Sequence, residues 1–434
     1  MQAGFRPRPA NSRARVLLSE GSSTSAREAL YALGPHYTID ILDPSPFCQA
    51  RFSRYVRRWH RCPAYAKEPL AYLKFLVELL RKERYDVFFP THEQAYLVAR
   101  AEKLLRPLVG IATPAFSAVD RVQDKAKFAQ LCAELDIPQP KTAIVRTRSE
   151  LKRAFAPPQF IKPAHGTAGQ EVTLVRQQSE LQAAGDRLEA AGLLDGEHDV
   201  LVQEAVTGPQ EDIGVFFQDG RLLSYFGART LQVGVGGSPM ARSSIRRPEA
   251  AEHMARLGRH LNWTGPIGLG YILDVRDGQP KFIDANPRIG ETFHGLLAGV
   301  NGPDLCVRMA LGEQLQPIPP GKEGVRTYPG MINLISAALE SGSRLGVLRE
   351  LLRQWRGSGI YENAENGIMR LPEDGWSVIP ATAVAGLLLA SPAAARRLVA
   401  KTVENYSLPG EAAAGIRDLP WETLLEASGS GSGQ

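Results

Sequence analysis

Lys281-Phe282-Ile283-Asp284-Ala285-Asn286-Pro287-Arg288 is an extended apolar run that ends in an acid, an amide and a base spaced two apart. Alternation along a strand turns Asp284, Asn286 and Arg288 to one face. A carboxylate and a carboxamide oxygen suit a hard cation such as Mg²⁺, and a guanidinium suits a phosphate or a carboxylate. A Pro-terminated edge strand with a solvated polar end would produce the same pattern. The rest of the chain weighs against that plainer reading, because lysines and a glycine-rich loop precede the motif in a matching order.

The strand Phe160-Ile161-Lys162-Pro163 runs into the small-residue loop Ala164-His165-Gly166-Thr167-Ala168-Gly169. Glycines there let backbone N–H groups approach phosphate oxygens, and Lys162 adds a point charge. A hairpin loop with a solvated lysine is the alternative. Lys125 opens the preceding helix, where a lone lysine is usually solvated. The apolar strand Val200 to Glu204 ends in Gln203-Glu204-Ala205-Val206, whose backbone could read an adenine edge. Glu211 follows after a turn.

Around these motifs, short apolar strands alternate with helices. Strands at Arg15 to Gly21, Tyr37 to Leu42 and Asp86 to Pro90, with helices between them, predict a parallel sheet. A helix beginning at Asp120 carries Phe128, Leu131, Cys132 and Leu135 at helical spacing and stops at Pro138. Strands near 142–145, 160–162, 172–175 and 200–204 predict a small α+β unit. Strands near 213–217, 222–227 and 267–274, with a helix over 249–261, lead into the opening motif.

With 434 residues, 44% hydrophobic and 22% charged, the chain has room for two to four compact units. The formal charge of +5 is spread among scattered Arg and Lys, so no nucleic-acid footprint is expected. Cys48, Cys62, Cys132 and Cys306 lie far apart without metal-ligand spacing, which favours buried thiols and a cytoplasmic setting. The apolar run Ala381 to Ala390 is too short to span a bilayer. The helix from Pro380 to Ala390 leaves a core, a partner subunit in a homodimer, or a membrane surface open as its destination. The terminal SGSGSGQ has the composition of a linker.

Taken in order, Lys125, Lys162 with its glycine loop, Glu204, Glu211 and Asp284-x-Asn286-x-Arg288 resemble the ATP-grasp superfamily, in particular its carboxylate–amine ligases, over roughly residues 15 to 320. The resemblance implies an N-terminal parallel-sheet domain (13–118), then two α+β subdomains that sandwich ATP (119–206 and 207–320). A C-terminal extension (321–427) and a flexible tail (428–434) follow. It implies ATP and Mg²⁺ as cofactors and a small-molecule carboxylate and amine as substrates, joined through an acyl phosphate. Lys125 and Lys162 would hold phosphates, with His165, Gly166, Thr167 and Gly169 closing over them. Glu204, Ala205 and Val206 would contact adenine and Glu211 the ribose. Asp284 and Asn286 would ligate Mg²⁺, and Arg288 would meet the transferred phosphate or the acyl substrate. A kinase or a bicarbonate-using carboxylase could share the same site, as could a nucleotide-binding protein without turnover.

The family usually supplies a second acid from the strand before the motif. A hairpin turning at Arg276-Asp277-Gly278 sets Gly270 opposite Asp284 and Ile272 opposite Phe282, so neither position is acidic. Asp274 is the remaining candidate, roughly 13 Å away along the strand at ~3.3 Å per residue unless a bulge intervenes. A polar residue closing the hairpin is its plainer reading. Arg229 and Arg242 flank Gly234, Gly236 and Gly237 in a segment that could cover the site and grip substrate. His294 could line the acceptor pocket or be structural.

Overall fold

The computed structural model describes residues 13–166, 172–234, 237 and 239–422. Its first sheet is wholly parallel, in the order β3-β2-β1-β4. The strands are β1 (Arg15–Leu18), β2 (Thr38–Asp43), β3 (Val56–Arg61) and β4 (Val87–Phe89). β1 and β4 are short buried apolar runs, as strands covered by helices on both faces must be. β3 reads VRRWHR and is an edge strand paired in parallel with β2, and its Arg57 donates to Asp40 at 2.6 Å. Its polarity hid it from sequence reading.

The helix expected from Asp120 is instead two helices, Phe116–Gln123 and Lys125–Glu134. The break falls at Asp124, whose extended backbone and carboxylate cap the second helix by accepting from the N–H groups of Ala126 and Lys127. The antiparallel sheet that follows has the order β5-β8-β6-β7. It consists of β5 (Thr142–Thr147), β6 (Gln159–Pro163), β7 (Thr173–Val175) and β8 (Asp195–Glu204). Helices Arg148–Arg153 and Gln178–Ala190 close a small core of Val145, Leu151, Ile161, Leu181 and Val202 against it.

The largest sheet runs β13-β12-β9-β10-β11-β14-β15. Its strands are β9 (Gln210–Gln218), β10 (Arg221–Val233), β11 (Pro239–Ile245), β12 (Gly265–Leu273), β13 (Pro280–Asn286), β14 (Arg326–Tyr328) and β15 (Ala364–Asn366). Helix Pro248–His260 buries Ala250, Met254 and Leu257 against Ile213, Val215 and Phe217. The opposite side, through Phe216 and Phe226, shares a core with Leu18, Leu30 and Ile41 of the N-terminal unit.

The C-terminal segment is tied back to the start of the chain. Leu408, Ala413, Ile416 and Trp421 join the core of the N-terminal unit. Arg27 donates to Asp374 at 2.9 Å with neither side chain exposed. All four cysteines are free and buried. Among the described residues no helix is long and apolar enough to cross a membrane.

Candidate nucleotide and metal site

Three neighbouring strands line up their residues across the large sheet. Asp212 of β9 pairs with Gly270 of β12, which pairs with Asp284 of β13; one step on, Gly214, Gly268 and Asn286 form the next rung. Cross-strand partners share a face, so Asp212, Asp284 and Asn286 stand on the same side. A Cβ added at Gly268 or Gly270 would meet nothing within 4 Å, so β12 leaves an open channel between the two aspartates. Gly270 lies opposite Asp284 as expected, but the next pair is Tyr271 with Phe282, not Ile272 with Phe282. Ile283 is the extra residue of a β-bulge, which kinks the strand beside the acid.

β13 is the edge of its sheet, so its outer backbone groups are available to other units. Phe282 N–H donates to the Pro138 carbonyl at 2.9 Å. The Ile283 carbonyl accepts from Lys162 Nζ at 2.7 Å, and Gln203 Oε1 accepts from the same ammonium at 2.8 Å. Lys162 is only 6% exposed. Burial pulls its pKa down to about 8, against the pull of Asp284. Lys125 Nζ donates to the Gly166 carbonyl at 2.9 Å, and His165 Nε2 lies 3.3 Å from Asp124 Oδ2. Both lysines therefore border the start of the glycine loop. Thr167 and Gly169 lie outside the described residues, as does Gly236 of the second loop.

At the strand end, Glu204 N–H donates to the Lys141 carbonyl and Ala205 N–H to the Pro158 carbonyl. Glu204 also accepts from Arg276 at 2.6 Å. Glu211, with no exposed surface, is gripped by Arg247 (2.8 Å) and Arg229 (2.9 Å). Adjacent residues of a strand face opposite ways, so this cluster lies on the side of the sheet away from Asp284. Arg229 is thus engaged with a buried acid, and of the two arginines flanking the second glycine segment it is Arg242 that lies on the Asp284 side. Its Nε lies 3.5 Å from Asp212, and its Nη1 is ion-paired with Glu291.

Asp274 is not brought beside Asp284. It accepts from the backbone and guanidinium of Arg276 and closes the hairpin, with its N–H bonded to Gln279. The bulge changes the register without closing the four-residue gap along β12. Arg288 donates through Nη2 to Asn286 Oδ1 at 3.0 Å and through Nε to Glu93 at 3.1 Å.

Glu93 was not found from sequence; it follows β4 in Thr91-His92-Glu93-Gln94, at the carboxyl end of a parallel strand. Glu20 follows β1 in the same way, and its carboxyl is pushed well above the usual range by burial and then by Glu93. The strand order reverses between β1 and β4, and the carboxyl ends of strands at such a reversal are the usual ligand side of these sheets. A polar cluster directly after a buried strand was the available signal. Glu28 accepts from Phe293 N–H at 2.8 Å and is raised to about 7 by burial. His294 packs edge-on against Phe226 and is pulled down to about 3, by burial first and Arg242 second, so it stays neutral near pH 7.

Among the described residues, no three His, Cys, Asp or Glu side chains are arranged to hold a metal unaided. Mg²⁺ characteristically keeps waters and takes one or two carboxylates plus substrate phosphates. Asp284, Asn286 and Asp212 around an open glycine channel fit that donor pattern.

Comparison with known proteins agrees with the architecture. The chain resembles ATP-grasp enzymes, and its fold is the ATP-grasp fold. No family model matches the chain. The biotin carboxylase domain of Hydrogenobacter thermophilus 2-oxoglutarate carboxylase, a dimer with MgADP, ADP and bicarbonate, superposes with a TM-score of 0.57 at 17% identity, over 73% of this chain and 74% of that one. Bacillus licheniformis L-amino acid ligase gives 0.55 at 18% identity, over 71% and 77%. In sequence, the arginine-specific large chain of carbamoyl phosphate synthase from Schizosaccharomyces pombe is 22% identical over 216 residues, and that from Neurospora crassa 24% over 215. Each match covers 45% of this chain and only 18% of the relative.

Proposed function

We propose that the chain is an ATP-dependent ligase that joins a carboxylate to an amine through an acyl phosphate, releasing ADP and phosphate. The observation that carries this reading is Lys162, a buried ammonium bonded to the carbonyl just before Asp284. A cation held in the interior at a desolvation cost is accounted for by an anion that meets it. Lys162 and Lys125 hold the nucleotide phosphates, with the loop of His165, Gly166, Thr167 and Gly169 over them. Adenine lies against Glu204, Ala205 and Val206; because two of those N–H groups are already used, Val206 and the carbonyls carry the contact. Glu211, enclosed by two arginines, is not assigned to the ribose.

Asp284 and Asn286, with Asp212 across the channel in the role first given to Asp274, would hold Mg²⁺, which supplies neutralisation of phosphate charge. Arg242, in place of Arg229, meets the acid substrate, and Arg288, fixed by Glu93 and Asn286, meets the phosphoryl group in flight. These groups position and neutralise; no protein nucleophile is required.

A mass-spectrometric screen of pooled amino acids and carboxylic acids with ATP identifies the substrates. The identified acid, supplied with ¹⁸O in its carboxylate, should then yield ¹⁸O-labelled inorganic phosphate as amide forms, since phosphate departs with one of the acid's oxygens. Amide without labelled phosphate would exclude the acyl-phosphate route. A stable phosphorylated product without amide makes the enzyme a kinase, and product formation that needs bicarbonate makes it a carboxylase.

A further inference from the structure

Helices Gly330–Ser341, Arg344–Arg356, Val378–Ala390 and Ala394–Tyr406 form a small bundle whose core is Leu334, Ala338, Val347, Leu388 and Ala395. Helix Arg344–Arg356 spends its inward face on Val347 and Glu350. Its outward face is apolar as well: Leu345 is 63% exposed, Leu348 44%, Leu352 38% and Trp355 81%. At 3.6 residues per turn these four fall within an arc about 80° wide. Arg344 borders that arc on one side and Arg349 and Arg356 on the other, and all three are exposed. The helix has one acid, Glu350, which is buried and engaged by Tyr361 and Arg353.

Beside it, helix Val378–Ala390 carries no charged residue and buries only Leu388, leaving Ile379 and Leu387 exposed. Trp376, just before that helix, is 61% exposed. Large apolar side chains exposed in clusters mark interaction surfaces.

We infer that this bundle docks on an anionic lipid surface, with the Leu345–Leu348–Leu352–Trp355 stripe entering the headgroup boundary and Arg344, Arg349 and Arg356 meeting lipid phosphates. An apolar stripe rich in Leu and Trp and bordered by arginines is the pattern of a helix lying in a bilayer interface. Charge selects this occupant over a second copy of the chain. A two-fold contact through the stripe would set arginines against arginines, and the helix's only carboxylate is turned inward and engaged.

The test is sedimentation of the full chain with vesicles of phosphatidylcholine alone and of phosphatidylcholine mixed with phosphatidylglycerol. The chain should sediment with the mixed vesicles only, and less as salt rises. Leu348→Ser/Trp355→Ser and Arg349→Glu/Arg356→Glu change exposed side chains, so both variants should melt like the parent while their partition falls by at least about tenfold. No binding to either vesicle, equal binding to neutral vesicles, or full binding by both variants would overturn the inference. So would a concentration-dependent dimer, formed without lipid and lost in the same variants, which would assign the stripe to a second copy; capture of an acidic peptide without vesicle binding would overturn it equally.

Discussion

Burial lowers the Lys162 pKa to about 8, from an ordinary lysine value of 10.5. Between those two values the folded chain binds fewer protons than the unfolded chain, so stability rises with pH across that window. Below it, the fold carries the cost of a buried ammonium. The parent's melting temperature should therefore rise between about pH 8 and 10, and Lys162→Met should lose that rise. The same variant gives up a charge-assisted contact, and its ATP affinity by calorimetry should fall about ten- to a hundredfold. A pH-dependence unchanged by the substitution would mean that another group sets it. Arg229 shows the complementary case: an arginine beside a glycine-containing loop looked available, yet it is committed to Glu211.

β12 acts through what it lacks. Its neighbours β9 and β13 bring up Asp212, Asp284 and Asn286, while Gly268 and Gly270 keep the space between them open. Glycine weakens a strand interior and marks close approach by a ligand. Neither glycine has a positive φ, so a side chain at either position meets no backbone strain. Gly270→Leu should accordingly melt at or above the temperature of the parent and still fail to bind ATP with Mg²⁺, because its side chain fills the channel. Calorimetry that finds parent-like ATP binding in that variant would place the nucleotide elsewhere.

The chain closes on itself through contacts between its ends. Arg27 and Asp374, 347 residues apart, meet with no exposure, and Arg27 also donates to the carbonyls of Ile368 and Phe52. Removing one partner of a buried pair strands the other charge, at a cost of about 3–5 kcal/mol. Asp374→Ala should lower unfolding stability by that amount in denaturant titration, although it lies outside the nucleotide site. A change below about 1 kcal/mol would show that water or another group takes over the arginine.

The sequence by itself determined the local part of this protein. Apolar runs alternating with helical periodicity give the parallel sheet, and the order of lysine, glycine loop and Asp284-x-Asn286-x-Arg288 gives the ATP-grasp resemblance, because each is written in neighbouring residues. The hairpin itself was legible for the same reason, but its register was not: the turn pairs Leu273 with Pro280, one residue off the expected register, and the bulge restores Gly270 opposite Asp284. Only the tertiary structure decided what lies across strands and between units. The bulge at Ile283 shifted every pair between it and the turn by one residue, the pairing of β9 with β12 brought Asp212 to the site, and Arg276 claimed Asp274. The meeting of Glu93 with Arg288 depends on how the N-terminal sheet packs against the large one. Strands such as β3 and β14 are short and polar, and their neighbours rather than their own residues make them strands. Side-chain partners far apart in sequence are chosen by packing and charge, and no spacing along the chain records that choice.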